Sequence, residues 1–239
     1  MIWTIFWLIL AVVAGGLFVS FFDKHRKNFI KLMLAFSGGF LLSIAFIHFI
    51  PELYGHGGEN IGLFILIGFL VQLILEFFSG GIEHGHIHVH SNQKMPIALL
   101  ISLSIHSFIE GVPLGAGEMA HHGHGHDHGE NGLLLGIIFH QFPVAIALMT
   151  LFLKSNMEIV KAWLLLLLFS IMTPAGVIFG NLWFSQGTTI DFSMIMAVVV
   201  GMFLHISTTI IFETSENHKF NIIKLSAIVI GVVMALGIH

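Results

Sequence analysis

Eight apolar runs divide the chain, and every basic residue falls in alternate gaps between them or in the first turn after such a gap. The runs are Ile2–Phe22, Phe29–Ile50, Ile61–Phe78, Pro96–Gly117, Gly132–Leu153, Ile159–Gly180, Ser193–Phe212 and Ile222–Ile238. A helix of about 20 apolar residues crosses the hydrocarbon of a bilayer, so each run reads as a transmembrane span, the last of them short. Lys24, Arg26, Lys27 and Lys31 follow span 1, and Lys94 precedes span 4. Lys154 and Lys161 join spans 5 and 6, and Lys219 and Lys224 join spans 7 and 8. These are all nine Lys and Arg of the chain, and none lies in an even-numbered loop or at either end. Basic residues mark the cytoplasmic side of a membrane. Both termini are therefore expected on the non-cytoplasmic side of a multi-pass protein of the cell membrane. A miscounted span would scatter the charges over both faces.

Composition supports the same class. Hydrophobic residues make up 56% of the 239 positions and charged residues 9%, against roughly 25% charged in a soluble domain. The fold class expected is an all-α membrane protein, with residues 1–239 forming one polytopic domain. The absence of Cys excludes disulfides and thiolate metal sites. Span 1 has neither a basic leader nor a cleavage pattern, so it is expected to be a retained helix and not a signal peptide.

Within the spans, ionisable residues stand out. An ionisable side chain at membrane depth costs several kcal/mol (order of magnitude) unless it has a partner or lines a wet cavity. His106 and Glu110 in span 4 are spaced i,i+4, on one helix face. His140 lies in span 5. At about 1.5 Å rise per residue, Glu110 and His106 sit roughly 10 and 16 Å from the outer end of span 4, and His140 roughly 12 Å from that of span 5. Three side chains at one depth on consecutive spans could offer two imidazoles and a carboxylate to one ion. That ligand set suits zinc or another borderline divalent metal. His48 and Glu52 form a second i,i+4 pair near the outer end of span 2, equally readable as an entrance site or as interfacial residues. Glu76 reads as an exit-path residue or a snorkelling one. Pro113 and Pro143 follow the central residues and are expected to kink their helices.

Two loops are rich in histidine. His84, His86, His88 and His90 alternate on the inner side, and His121, His122, His124, His126 and His128 occupy the outer loop between spans 4 and 5. Gly-spaced His makes a chelating tract without fixed geometry, suited to capturing and handing off metal. The expected partners are a divalent metal ion and the lipid bilayer, with no nucleic acid; a homodimer is compatible with this reading. A membrane di-iron enzyme would need its histidines converged on one face, and here they fall on opposite faces. No HExxH motif for a metalloprotease occurs. A metal exporter with six spans and a soluble domain does not fit eight spans. A metal sensor that does not transport remains an alternative.

His106-Ser107-Phe108-Ile109-Glu110-Gly111 resembles the HSxxEG signature of the ZIP (Zrt/Irt-like) divalent-metal transporters. So do His48-Phe49-Ile50-Pro51-Glu52, His140, Met172-Thr173-Pro174-Ala175-Gly176 and the His-rich loop between spans 3 and 4. The resemblance implies an inverted repeat of spans 1–3 and 6–8 with spans 4 and 5 between them. It also implies inward transport of Zn2+, or of Fe2+, Mn2+ or Cd2+, as substrate and not as cofactor, with no enzymatic activity. The chain departs from the pattern at Val144, where many members carry a carboxylate. One strong site of His106, Glu110 and His140 is therefore expected. Ser107 and Gln141 occupy positions that serve a neighbouring site in some members; both are neutral, so a second ion there should be weak. His205 stands where an aromatic residue is common, with no evident role.

Overall fold

The computed structural model describes residues 1–21, 26–56, 58–79, 97–120, 128–187, 191–213 and 222–238. Its helices are α1 (Ile2–Phe21), α2 (Arg26–Ile44), α3 (Ile50–His56), α4 (Ile61–Ser79) and α5 (Ile97–Ala120). They continue with α6 (His128–Lys154), α7 (Ile159–Ser170), α8 (Met172–Ser185), α9 (Phe192–Glu213) and α10 (Ile222–Leu236). Among the described residues the chain is all-helical, and seven helical stretches are long and apolar enough to cross a membrane. The eighth expected span is the shorter α10, of 15 residues. Span 5 starts earlier than its apolar run, so that His128 opens α6. The tracts at 84–90 and 121–126 lie outside the described residues.

Two spans are interrupted, each beside a proline. Span 2 runs continuously over 28 residues, Asn28–Gly55, but Ala45–Phe49 forms a π turn between α2 and α3, with Ile50 N–H donating to Ala45 O. Pro51 has no N–H, and its ring clashes with the carbonyl four residues back. Widening the preceding turn by one residue relieves that conflict. Span 6 extends to Ser185 and is divided at Ile171 into α7 and α8, one turn before Pro174. There Ile171 N–H turns to Leu168 O at 3.3 Å. By contrast, α5 and α6 run through Pro113 and Pro143 without a break.

Helix pairing has a simple order. α5 packs on α8 and α1 on α6; α2 packs on α10 and α9 on α4; α2 touches α6, and α9 touches α5. This list maps onto itself when spans 1, 2 and 3 are exchanged with 6, 7 and 8, and span 4 with 5. Such an exchange swaps odd for even spans, so in a chain that crosses back and forth it relates elements of opposite direction, as an inverted repeat requires. One departure matters below: α4 also packs on α5, with no comparable packing of α10 on α6. α6 lies deepest, with 72% of its apolar window buried, while α4 buries 22% and faces outward elsewhere.

Lipid tails are as apolar as Leu, so apolar contact alone does not hold such helices together, and close backbone approach does more of it. Gly111 and Gly115 on α5 face Gly176 and Gly180 on α8. A Cβ at Gly115 would lie 1.8 Å from Val177 O, and one at Gly176 2.0 Å from Phe108 O. The α4–α9 pair repeats this: a Cβ at Gly68 would meet Val198 O, and one at Gly201 would meet Ile65 O, both at 1.9 Å. Two apolar clusters result. One gathers Leu99, Leu103, Val144, Leu148, Ile206 and Ile210; the other gathers Leu114, Leu133, Ile137, Val199 and Phe203. His106 and Glu110 on α5, His140 and Gln141 on α6 and His205 on α9 fall between the two.

Candidate metal centre

That polar layer holds His106, Glu110 and His140, which are 2%, 0% and 1% exposed. One ligand-type atom from each lies within 4.8 Å of the others. Among the described residues this is the one group of three or more His or acidic side chains so placed. His106 Nε2 is 2.9 Å from Glu110 Oε1, as one helical turn on α5 dictates. The His140 ring comes in from α6 at right angles to that of His106, with centroids 6.0 Å apart. Glu110 Oε2 has no hydrogen-bond partner among the described residues, and neither has Oε1 of the buried Gln141. Buried oxygens left without donors are costly in an apolar interior. A cation between the helices would satisfy the Glu110 oxygen. The set of two imidazoles and one carboxylate leaves a position open for water or another ligand, a pattern of zinc sites that bind and release a further group.

The other expected residues divide. Ser107 is buried beside the centre. Gln141 Nε2 donates to Thr173 Oγ1 on α8. Val144, one turn beyond His140, packs into the apolar cluster. His48 sits half-buried on the π turn and Glu52 is exposed on α3; neither joins the central group.

Two residues acquire roles that the spacing of histidines did not reveal. His205 Nδ1 pairs with Glu76 Oε2 at 3.2 Å, tying α9 to α4. Gln72, fully buried, places Oε1 2.8 Å from His106 Nδ1. Gln72 and Glu76 are the only amide or acid in span 3 and stand i,i+4. That pairing inside an otherwise apolar run was the available signal. Costly polar groups on one stripe of a span mean partners across the helix interface.

The structure therefore defines a polytopic helical membrane protein with a buried His/Glu group between α5 and α6. Residues 82–239 match the family described as ZIP Zinc transporter, and the chain belongs to that family, one of transporters and not of enzymes. The matched part begins after span 3, so the His48–Glu52 motif lies ahead of it. Protein zntD of Dictyostelium discoideum is 27% identical over an alignment of 162 residues that covers 62% of this chain. The match spans about a quarter, 23%, of that relative's own length.

Proposed function

We propose that this chain carries a divalent cation, zinc before Fe2+, Mn2+ or Cd2+, across the membrane toward the cytosol. The ion is held on the way by His106, Glu110 and His140. The observation that carries the reading is the buried convergence of those three side chains within 4.8 Å. The basic residues of the odd-numbered loops support cytoplasmic placement of those loops, which puts the Leu99–Leu103 cluster on the cytoplasmic side of the site and the Leu114–Leu133 cluster on the outer side. An ion at the polar layer is then sealed by apolar packing in both directions. Movement requires one cluster to part while the other stays closed, as expected of an inverted repeat with its site near the midplane. The direct test is uptake of radioactive zinc into vesicles holding the purified chain, with the other metals as competitors. Absence of uptake while zinc still binds would favour a sensor over a transporter.

Two expected outcomes follow from the ligand chemistry. Metal and protons compete for imidazole and carboxylate, so zinc binding should weaken as pH falls through the range where imidazole protonates, about 6.5 for a free ring. Calorimetric titration between pH 5 and 8 checks this, and a flat affinity would exclude histidine ligation. The second outcome concerns Val144. A second dication about 4 Å from the first would be strongly repelled in a low-dielectric interior, and Glu110 alone cannot offset it. Wild type should bind one ion tightly in the α5–α6 site, whereas Val144→Glu should recruit a second. Metal counting by elemental analysis reads the difference, and two tight central ions in wild type would refute it.

A further inference from the structure

We infer that Gln72 is a positioning residue for the metal site: its amide oxygen holds the proton of His106 on Nδ1 and so aims Nε2 at the ion. The inference rests on the reading of His106 as a metal ligand. With Gln72 Oε1 2.8 Å from Nδ1, that ring nitrogen is the donor, because a carbonyl oxygen only accepts. A ring nitrogen that carries a proton cannot ligate. The remaining nitrogen, Nε2, is the one that faces Glu110 Oε1 at 2.9 Å, inside the group of converging ligand atoms. The two contacts fix the ring at both edges, so that its plane and its free lone pair are set before an ion arrives. Outer partners of this kind orient metal-bound histidines.

The surroundings show why the amide is there. The buried positions of α4 are Ile61, Gly68, Gln72, Leu75 and Ser79, a single stripe against its neighbours. Gln72 is the only amide on that stripe. It stands one turn from Gly68, whose missing side chain lets α4 approach α9 closely, and Ser102 on α5 donates to Leu75 O on α4. These contacts seat α4 against α5 at the level of His106. The packing of α4 on α5 has no comparable counterpart of α10 on α6 under exchange of the repeats. The asymmetry thus coincides with the helix that supplies the support.

The test compares zinc binding by wild type, Gln72→Leu, Gln72→Glu and His106→Ala, together with nitrogen NMR of labelled histidine. Gln72→Leu removes the acceptor and should weaken zinc by about 10- to 100-fold, the usual effect of losing an outer partner. Gln72→Glu keeps an acceptor in place and should bind zinc at least as tightly as wild type. In zinc-loaded wild type the His106 proton should reside on Nδ1 with the metal on Nε2, a signature that a purely structural role would not set. Metal on Nδ1, or zinc weakened tenfold or more in Gln72→Glu, overturns the inference even if Gln72→Leu fails to fold. If His106→Ala loses zinc while Gln72→Leu binds like wild type, the inference alone fails. If His106→Ala binds like wild type, the site reading beneath it fails.

Discussion

Glu110→Ala is expected to bring zinc uptake to background while the protein still folds and inserts. Glu110 is the one carboxylate in the central group, so among the three it alone neutralises part of the dication's charge. Two neutral imidazoles would remain, and a divalent ion between them would keep its whole charge in a buried layer sealed by apolar clusters, a situation that costs far more than losing a hydrogen bond. The affinity loss should be at least about 100-fold, the upper end of what loss of a mere outer partner produces. His106→Ala and His140→Ala should also lower affinity strongly, though less than the loss of the charge. Glu110→Gln, which keeps the volume and removes the charge, should resemble Glu110→Ala. The measurement is vesicle uptake normalised to folded protein; wild-type rates in Glu110→Ala would contradict this account of the charge.

The second large effect is structural. Gly115→Ala should destabilise the protein, and Gly115→Leu should prevent α5 from seating on α8. A Cβ at Gly115 would meet Val177 O at 1.8 Å, Val177 C at 2.7 Å and Asn181 N at 2.8 Å. All three are backbone atoms that no rotamer change can move, so the helices must separate. Overpacking of this sort costs typically about 1–3 kcal/mol, and more here, because close approach is a main source of helix association in lipid. Separation would also act on the site, since Gly111 and Thr173 meet backbone to backbone one position past Glu110. Gly55→Ala is the control: no atom lies within 4 Å of a Cβ there, and its midpoint should barely move. Thermal unfolding in detergent compares the three. Equal midpoints for Gly115→Ala and Gly55→Ala would show that the α5–α8 contact is not so tight.

Much of this was legible because a bilayer makes polarity expensive. The spans could be read from apolar runs and the placement of Lys and Arg, and His106, Glu110 and His140 stood out where an unpartnered ionisable group is penalised. Depth arithmetic then brought them together correctly, since rise per residue is nearly constant. What the one-dimensional pattern hides is rotation about each helix axis and pairing between spans distant in the chain. Gln72 meets His106 across 34 positions, and Glu76 meets His205 between the third and seventh spans. Only the packing decides that those faces turn toward each other. The prolines were visible, but their effects were not. Pro113 and Pro143 are accommodated within continuous helices, whereas Pro51 and Pro174 act on the turn before them. The glycine pairs Gly111/Gly115 and Gly176/Gly180 carried the four-residue spacing of close-packed helices, a signal stronger than the kinks expected beside them.

The most direct test of the central claim is a zinc-bound structure with anomalous scattering collected at the zinc edge. The account predicts one strong central peak, within ligand distance of His106 Nε2, Glu110 and a His140 ring nitrogen, at about 2.0–2.2 Å from each. A central zinc held elsewhere, with His106 and Glu110 still paired to each other, would contradict it.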